Sequence, residues 1–408
     1  MVVAVESSCF TSRPAAESYV GGVCFKLGPP RLIGAELEWL TDHDSPSATR
    51  PELASIAAAL GPHAPRSLVP DSPAFPLPSG SLVSVEPGGQ IEISSAPRDN
   101  AAELCDALAS DERALRALLA SRSITMHAHA ADTCRNAQRL LQLPRYRAME
   151  ERFESIGPFG KLMMCNTAAV QVSVDAGADR AGVARRWNLL HTVGPALLAA
   201  FACSPRLRGV PPGRWASQRM RTWLELDRSR TTGPSEPGAP TADPIGDYAR
   251  WVLDVPLLCV MRDGPCWTAP PGATFADWID GALDDELGRR PTRADLDYHL
   301  TTVFPPVRAV GHLEVRYIDT QPGDRWRLPV AALEALLTAP ETVDVAMPTC
   351  GRWRDAARDG LADPELRAGA TALLELAAEY APDDALAADL AAEARRCSGG
   401  ARPNGEPS

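Results

Sequence analysis

Four short stretches of this chain alternate between apolar residues and glutamate or other polar residues, and a period of two dictates strands with one dry and one polar face. In 31–40, Gly34, Glu36 and Glu38 face one way while Leu37 and Trp39 face the other. In the second stretch Gln90, Glu92 and Ser94 oppose Ile91 and Ile93. The third sets Gln171, Ser173 and Asp175 against Val170, Val172 and Val174, and the fourth sets His312, Glu314 and Arg316 against Leu313, Val315 and Tyr317. A half-exposed antiparallel sheet, polar outside and apolar inside, explains any one of them. It explains the set less well. A solvated face usually carries lysine, threonine and mixed polar residues, whereas glutamate recurs here and lysine is absent from all four.

If the polar faces converge, each close pair of carboxylates repels by roughly 4 kcal/mol at an effective dielectric of about 20. Such a cluster needs divalent cations or raised pKa values. Oxygen-only ligation points to Mg²⁺ or Mn²⁺ rather than zinc, and the ten cysteines include no CxxC pair. Two enzyme classes use such a face: glycosidases with a carboxylate pair, and phosphoryl-transfer enzymes whose metals neutralise nucleotide oxygens. More than two acids together with an arginine favour the second. No GxxxxGK[ST] run and no HRD/DFG pair is present, so a P-loop enzyme and a typical protein kinase are excluded.

The 408 residues leave room for two lobes or one large domain. The spacing predicts a flexible arm over 1–20, one catalytic domain over 21–397 with a mobile loop near 229–243, and a disordered tail over 398–408. Strands are expected at 31–40, 82–85, 90–94, 123–130, within 162–175, at 257–262 and at 312–317. Asn100 followed by Glu103 forms a capping signature for a helix over 100–121. A long helix over 179–202 is expected to be interrupted at Gly194-Pro195. The formal net charge of −11 argues against a general nucleic-acid partner, while a local arginine cluster can still accept an anion. Most of the cysteines read as buried small apolar residues in a reducing compartment. With no secretory signal and no long apolar run, a cytoplasmic chain without membrane attachment is expected.

The strings that carry these faces resemble the glutamate–cysteine ligase family. Ile33-Gly34-Ala35-Glu36-Leu37-Glu38 looks like its N-terminal metal strand, and Pro87-Gly88-Gly89-Gln90-Ile91-Glu92-Ile93-Ser94 like its second motif. Val170-Gln171-Val172-Ser173-Val174-Asp175, the run from His299 to Arg308, and His312-Leu313-Glu314-Val315-Arg316 follow in family order. Arg219, Trp223, Asp227 and Arg230 are a further match. The likeness is to the plant-type branch more than to the enterobacterial one, and within it to the actinobacterial enzymes of ergothioneine synthesis. One arginine that relatives place before Val-Gln-Val is missing here.

The resemblance implies an α+β, glutamine-synthetase-like fold, with a curved antiparallel sheet forming a funnel-shaped active site backed by helices. It implies ATP, Mg²⁺, glutamate as the activated acid and cysteine as the incoming amine; the alternatives are a related carboxylate–amine ligase with another amine, or a non-catalytic nucleotide-binding descendant. On this reading Glu36, Glu38, Glu92 and Glu314 hold metal, with Glu86 a weaker candidate because it opens a turn. Arg316 suits the transferring phosphoryl group and Arg219 the glutamate α-carboxylate. Gln171, His299 and Arg230 are candidates for nucleotide contact. Gln171 can equally make a cross-strand hydrogen bond, and His299 can equally be a hydrogen-bonded structural histidine.

Overall fold

The computed structural model describes residues 9–43, 49–234 and 238–403. Its centre is an antiparallel sheet built from β1 (Ile33–His43), β2 (Leu82–Val85), β3 (Ile91–Ser94), β4 (Ile124–His127), β5 (Ala169–Val174), β6 (Val307–Ala309) and β7 (Leu313–Asp319). The order is β2-β3-β1-β5-β7-β6, with β4 paired to the far half of β1. The expected alternation is realised. Leu37 pairs with Ile93 and Val170 on the dry face, while Glu38 lies opposite Glu92, Glu36 opposite Ser94 and Gln171, and Glu314 opposite Ser173 and Arg308.

The dry face joins the main core. Helices α1 (Arg13–Cys24), α2 (Leu53–Leu60), α3 (Ala101–Ala120), α4 (Pro144–Glu154), α5 (Phe159–Asn166), α6 (Arg180–Phe201) and α7 (Gln218–Leu226) surround the sheet, followed by further helices to Ser398. Behind the sheet, α3 packs on β1, α6 on β7 and the helix Arg327–Thr338 on β5. The start of α3 is as the sequence predicts: the Asn100 side chain accepts from the Glu103 N–H at 2.9 Å.

The expected funnel is corrected. The sheet does not curve round into one: its end strands β2 and β6 are four and three residues long and pair only with β3 and β7. Strands this short expose few unpaired backbone groups and leave the sheet open. The walls above the polar face are helical instead.

Two further expectations are revised. Residues 257–262 form no strand, only isolated bridges from Pro256 to Thr274 and from Cys259 to Thr268. Helix α6 runs unbroken through Pro195. Gly194 there lies so close to Trp353 that an added Cβ would sit 2.0 Å from the indole, so tertiary packing holds the helix together where local propensity would break it.

Of the expected arm, residues 1–8 lie outside the described residues, and α1 covers 13–24 with Ala16, Val20 and Cys24 buried. The expected loop at 229–243 opens with the short helix Arg228–Thr231, and 235–237 lie outside the described residues, as do 404–408 of the expected tail. No helix among the described residues is long and apolar enough to cross a membrane.

Candidate active site

A cavity of about 270 Å³ opens on the polar sheet face. Its floor is Glu36, Glu38, Glu92 and Gln171, with Glu86 at the turn that leads into β3. That turn is pinned from below. An added Cβ on Gly88 would meet the Cys165 carbonyl oxygen at 2.3 Å, so only glycine lets the turn lie this close to the end of α5. The Gln90 carboxamide ties both sides, accepting from the Gly88 N–H at 3.0 Å and donating to the Thr167 carbonyl at 3.0 Å. Arg50 adds bonds to the Gly88 and Cys165 carbonyls and to the Asn166 side chain.

The side wall is a second small core. Met149 from α4, Met163 and Met164 from α5, and Phe304 pack together, with Tyr146 and Trp223 against them. Helix α7 places Arg219 and Trp223 four residues apart on one face. The Trp223 ring lies 5.9 Å from the Arg219 guanidinium and 5.3 Å from that of Arg316, so one indole face-stabilises two cations. Arg219 is fully enclosed: it donates to the Arg316 carbonyl at 2.7 Å and lies 3.8 Å from Asp319. Asp319 is itself buried and accepts from Ser204 and Ser217. Where β5 meets β7 the register slips by one, so that Arg316 and Tyr317 together oppose Gln171. Such bulges re-aim side chains.

The floor carboxylates have no cation of their own. Among the described residues no lysine or arginine pairs with Glu36, Glu38, Glu86 or Glu92. The Gln171 amide bridges Glu36 and Glu38 at 2.9 and 3.0 Å, Ser84 donates to Glu92 at 2.6 Å, and the Ala169 N–H donates to Glu38 at 2.9 Å. Burial, then the neighbouring Glu92 and Glu314, pushes Glu36 up to about 8. Burial and Glu86 push Glu92 up to about 7, and burial likewise raises Glu38 and Glu86. Glu314 is different. Burial would raise it, but Arg308 at 2.8 Å and Arg316 at 2.5 Å outweigh that and hold it down at about 2.

The donor set fits a hard divalent cation: several carboxylates without counter-charge, beside a buried Gln171 carbonyl oxygen that has no partner. Among the described residues no three His, Cys, Asp or Glu side chains already stand in ligating geometry, so holding an ion requires side-chain rotation. A second cavity of about 450 Å³ continues along the same sheet face, shares Glu36 and is lined by Gly34, Ser94, Ser173 and His312.

Of the residues singled out in sequence, Glu36, Glu38, Glu86, Glu92, Gln171, Arg219 and Arg316 line the first cavity. Glu314 lies beneath it, bound to its two arginines. His299 and Arg230 are not brought to it. His299 is buried with its Nε2 at 2.8 Å from the Val252 carbonyl and its ring stacked on Phe275. Arg230 pairs with Asp227 and donates to the Thr302 and Pro256 carbonyls, which braces the segment leading to Phe304. Sequence reasoning missed Arg145, Arg308 and Trp223 as lining residues. Arg308 had a usable signal, since it alternates with Val307 and Ala309; Arg145, in a polar surface-like helix, had none.

Residues 32–401 match the family model described as glutamate–cysteine ligase family 2. The chain is 39% identical over 381 residues to the glutamate–cysteine ligase EgtA of Mycolicibacterium smegmatis, covering 91% of this chain and 86% of that one. Identity to the Mycobacterium tuberculosis EgtA is 37% over 386 residues, with 93% and 86% covered. The chloroplastic glutamate–cysteine ligase of Brassica juncea is 29% identical over 281 residues, 68% of this chain and 54% of the plant one. Among solved structures, a glutamate–cysteine ligase from Francisella tularensis in complex with AMP aligns with a TM-score of 0.57 at 12% identity, covering 93% of this chain and 84% of that one. At that identity the likeness is one of fold.

Proposed function

This chain belongs to glutamate–cysteine ligase family 2, and from that premise we propose that its acidic pocket joins the γ-carboxylate of L-glutamate to the amino group of L-cysteine at the expense of ATP. The observation that carries the reading is the floor of Glu36, Glu38, Glu86 and Glu92, raised in pKa and without cations, set beside arginines at the same cavity. A pocket built this way binds an anionic substrate together with divalent cations.

The chemistry has two steps. The glutamate γ-carboxylate attacks the γ-phosphate of ATP to give γ-glutamyl phosphate and ADP, and the cysteine amine then attacks the acyl carbon and expels phosphate. Neither step requires a protein nucleophile. Cys165 is accordingly inert: it is fully buried, and burial pushes its thiol up to about 12. Glu36, Glu38, Glu86 and Glu92 would hold Mg²⁺, and the ion, when bound, would supply neutralisation of the triphosphate charge.

Arg316 meets the transferred phosphoryl oxygens, its planar fork suiting two of them at once; its Nε is buried and has no partner in the protein. Glu314 and Trp223 orient that fork. Arg219 takes the glutamate α-carboxylate, and the orphaned Gln171 carbonyl oxygen would help to hold the cation. The wall of Met149, Met163, Met164 and Phe304 excludes water that would hydrolyse the acyl phosphate. The two adjoining cavities together provide room for nucleotide and amino acids. No disulfide forms among the described residues, which supports a cytoplasmic setting, and the dipeptide is assigned to ergothioneine synthesis.

ADP release with Mg²⁺ and glutamate, screened over all amino acids as second substrate, tests the reading. Release that depends on cysteine is expected. No amino-acid dependence at all would overturn it.

A further inference from the structure

Four arginines line the pocket: Arg145, Arg219, Arg308 and Arg316. Three of them are already within ion-pair distance of a protein carboxylate, Arg308 and Arg316 of Glu314 and Arg219 of Asp319. Arg145 is not. Among the described residues it has no acidic partner within ion-pair distance; it donates to the Thr301 hydroxyl at 2.5 Å and to the Thr301 carbonyl at 2.8 Å, and its guanidinium lies 5.2 Å from the Tyr298 ring. Neutral groups therefore fix the fork in place without neutralising it. Two of its five N–H donors go to Thr301, which leaves charge and donors for a ligand.

We propose that Arg145 holds the carboxylate of the accepting amino acid, cysteine. The proposal rests on the ligase reading and adds the residue that selects the amine substrate by its α-carboxylate. The choice of cysteine over glutamate comes from the neighbours. One turn on from Arg145 in α4 lies Met149, which packs with Met163, Met164 and Phe304. This surface offers dispersion and sulfur–aromatic contact to a small thiol side chain. It offers no partner to the second carboxylate of glutamate, whose desolvation there would be uncompensated. With the carboxylate on Arg145 and the side chain on the methionine wall, the remaining substituent, the amine, is left for the acidic floor where the acyl phosphate forms.

Steady-state kinetics of full-length Arg145→Met and Arg145→Lys test this, with cysteine and with cysteamine, which lacks the carboxylate. KM for cysteine should rise on the order of 10- to 100-fold in Arg145→Met, the loss expected for a charge-assisted bond to a carboxylate. KM for glutamate and for ATP should change little, and the wild-type preference for cysteine over cysteamine should collapse. Arg145→Lys should recover part of that preference, because it keeps the charge and loses the fork. A variant that keeps the preference, or that raises KM for glutamate instead, overturns the assignment while leaving the ligase reading intact. A wild-type enzyme that releases no ADP with cysteine overturns both.

Discussion

Glu36 and Glu314 sit on the same face of one sheet, on strands separated only by β5, yet their electrostatics are opposite. Glu36 belongs to a floor of carboxylates without cations and is pushed up to about 8. Glu314 lies between two arginines and is held at about 2. Glu36 is half-buried and Glu314 buried, so burial, which raises both, does not explain the difference. The partners do. An ion pair completed within the protein is part of the scaffold, whereas a carboxylate cluster left incomplete awaits something from outside.

The largest expected effect comes from unmaking the completed half. Glu314→Gln leaves Arg308 and Arg316 without their counter-charge and should destabilise the fold by about 3–5 kcal/mol, as read from urea unfolding. A loss below about 1 kcal/mol, the scale of an exposed pair, would mean that solvent already screens this cluster and that the two regions differ less than their geometry says.

Glu38→Gln should do the reverse. Removing one of several repelling carboxylates leaves stability without added cation unchanged or improved, while turnover falls on the order of 10²-fold, comparable to deleting one preorganised electrostatic contact. Melting temperature and turnover measured on the same sample separate the two regions. If Glu38→Gln unfolds as readily as Glu314→Gln, the floor is a structural network and the comparison breaks.

A smaller effect, readable without any variant, is pH dependence. Glu36 and Glu92 are raised from an ordinary 4.5 to about 8 and about 7. Their contribution to stability is therefore complete below the ordinary value and is lost as pH rises through 7 to 8. Divalent cations compete with those protons, so stabilisation by Mg²⁺ should be larger at about pH 8.5 than at about pH 6, by on the order of 1 kcal/mol. Glu314 runs the other way, its contribution present above 4.5 and lost as pH falls towards 2. Thermal melts over pH, with and without Mg²⁺, check both signs. Equal Mg²⁺ stabilisation at both ends would place the cation elsewhere.

Much of this contrast was already written along the chain, and its limits are instructive. The alternation in β1, β3, β5 and β7 identified the shared polar face, and the Asn100–Glu103 signature marked the start of α3. Both signals are local: Cβ atoms alternate along any strand, and a cap needs only three residues of reach. The break expected at Pro195 failed because a neighbour far along the chain decides it, Trp353 against Gly194, while 257–262 makes only single bridges to Thr268 and Thr274 in place of a ladder. Arg145 was invisible for the same reason, since nothing in its own helix reveals that Thr301 and Tyr298 turn it towards the floor.

The sequence by itself determined that Glu36, Glu38, Glu92 and Glu314 each lie on the polar face of their own strand, because side-chain direction follows from backbone geometry. Which of them would be neutralised, that the sheet would stay open, and that α4, α5 and α7 would wall the pocket were decided only in three dimensions. A carboxylate's charge depends on distances to groups on other segments, and Arg308 becomes the partner of Glu314 only once β6 has paired with β7.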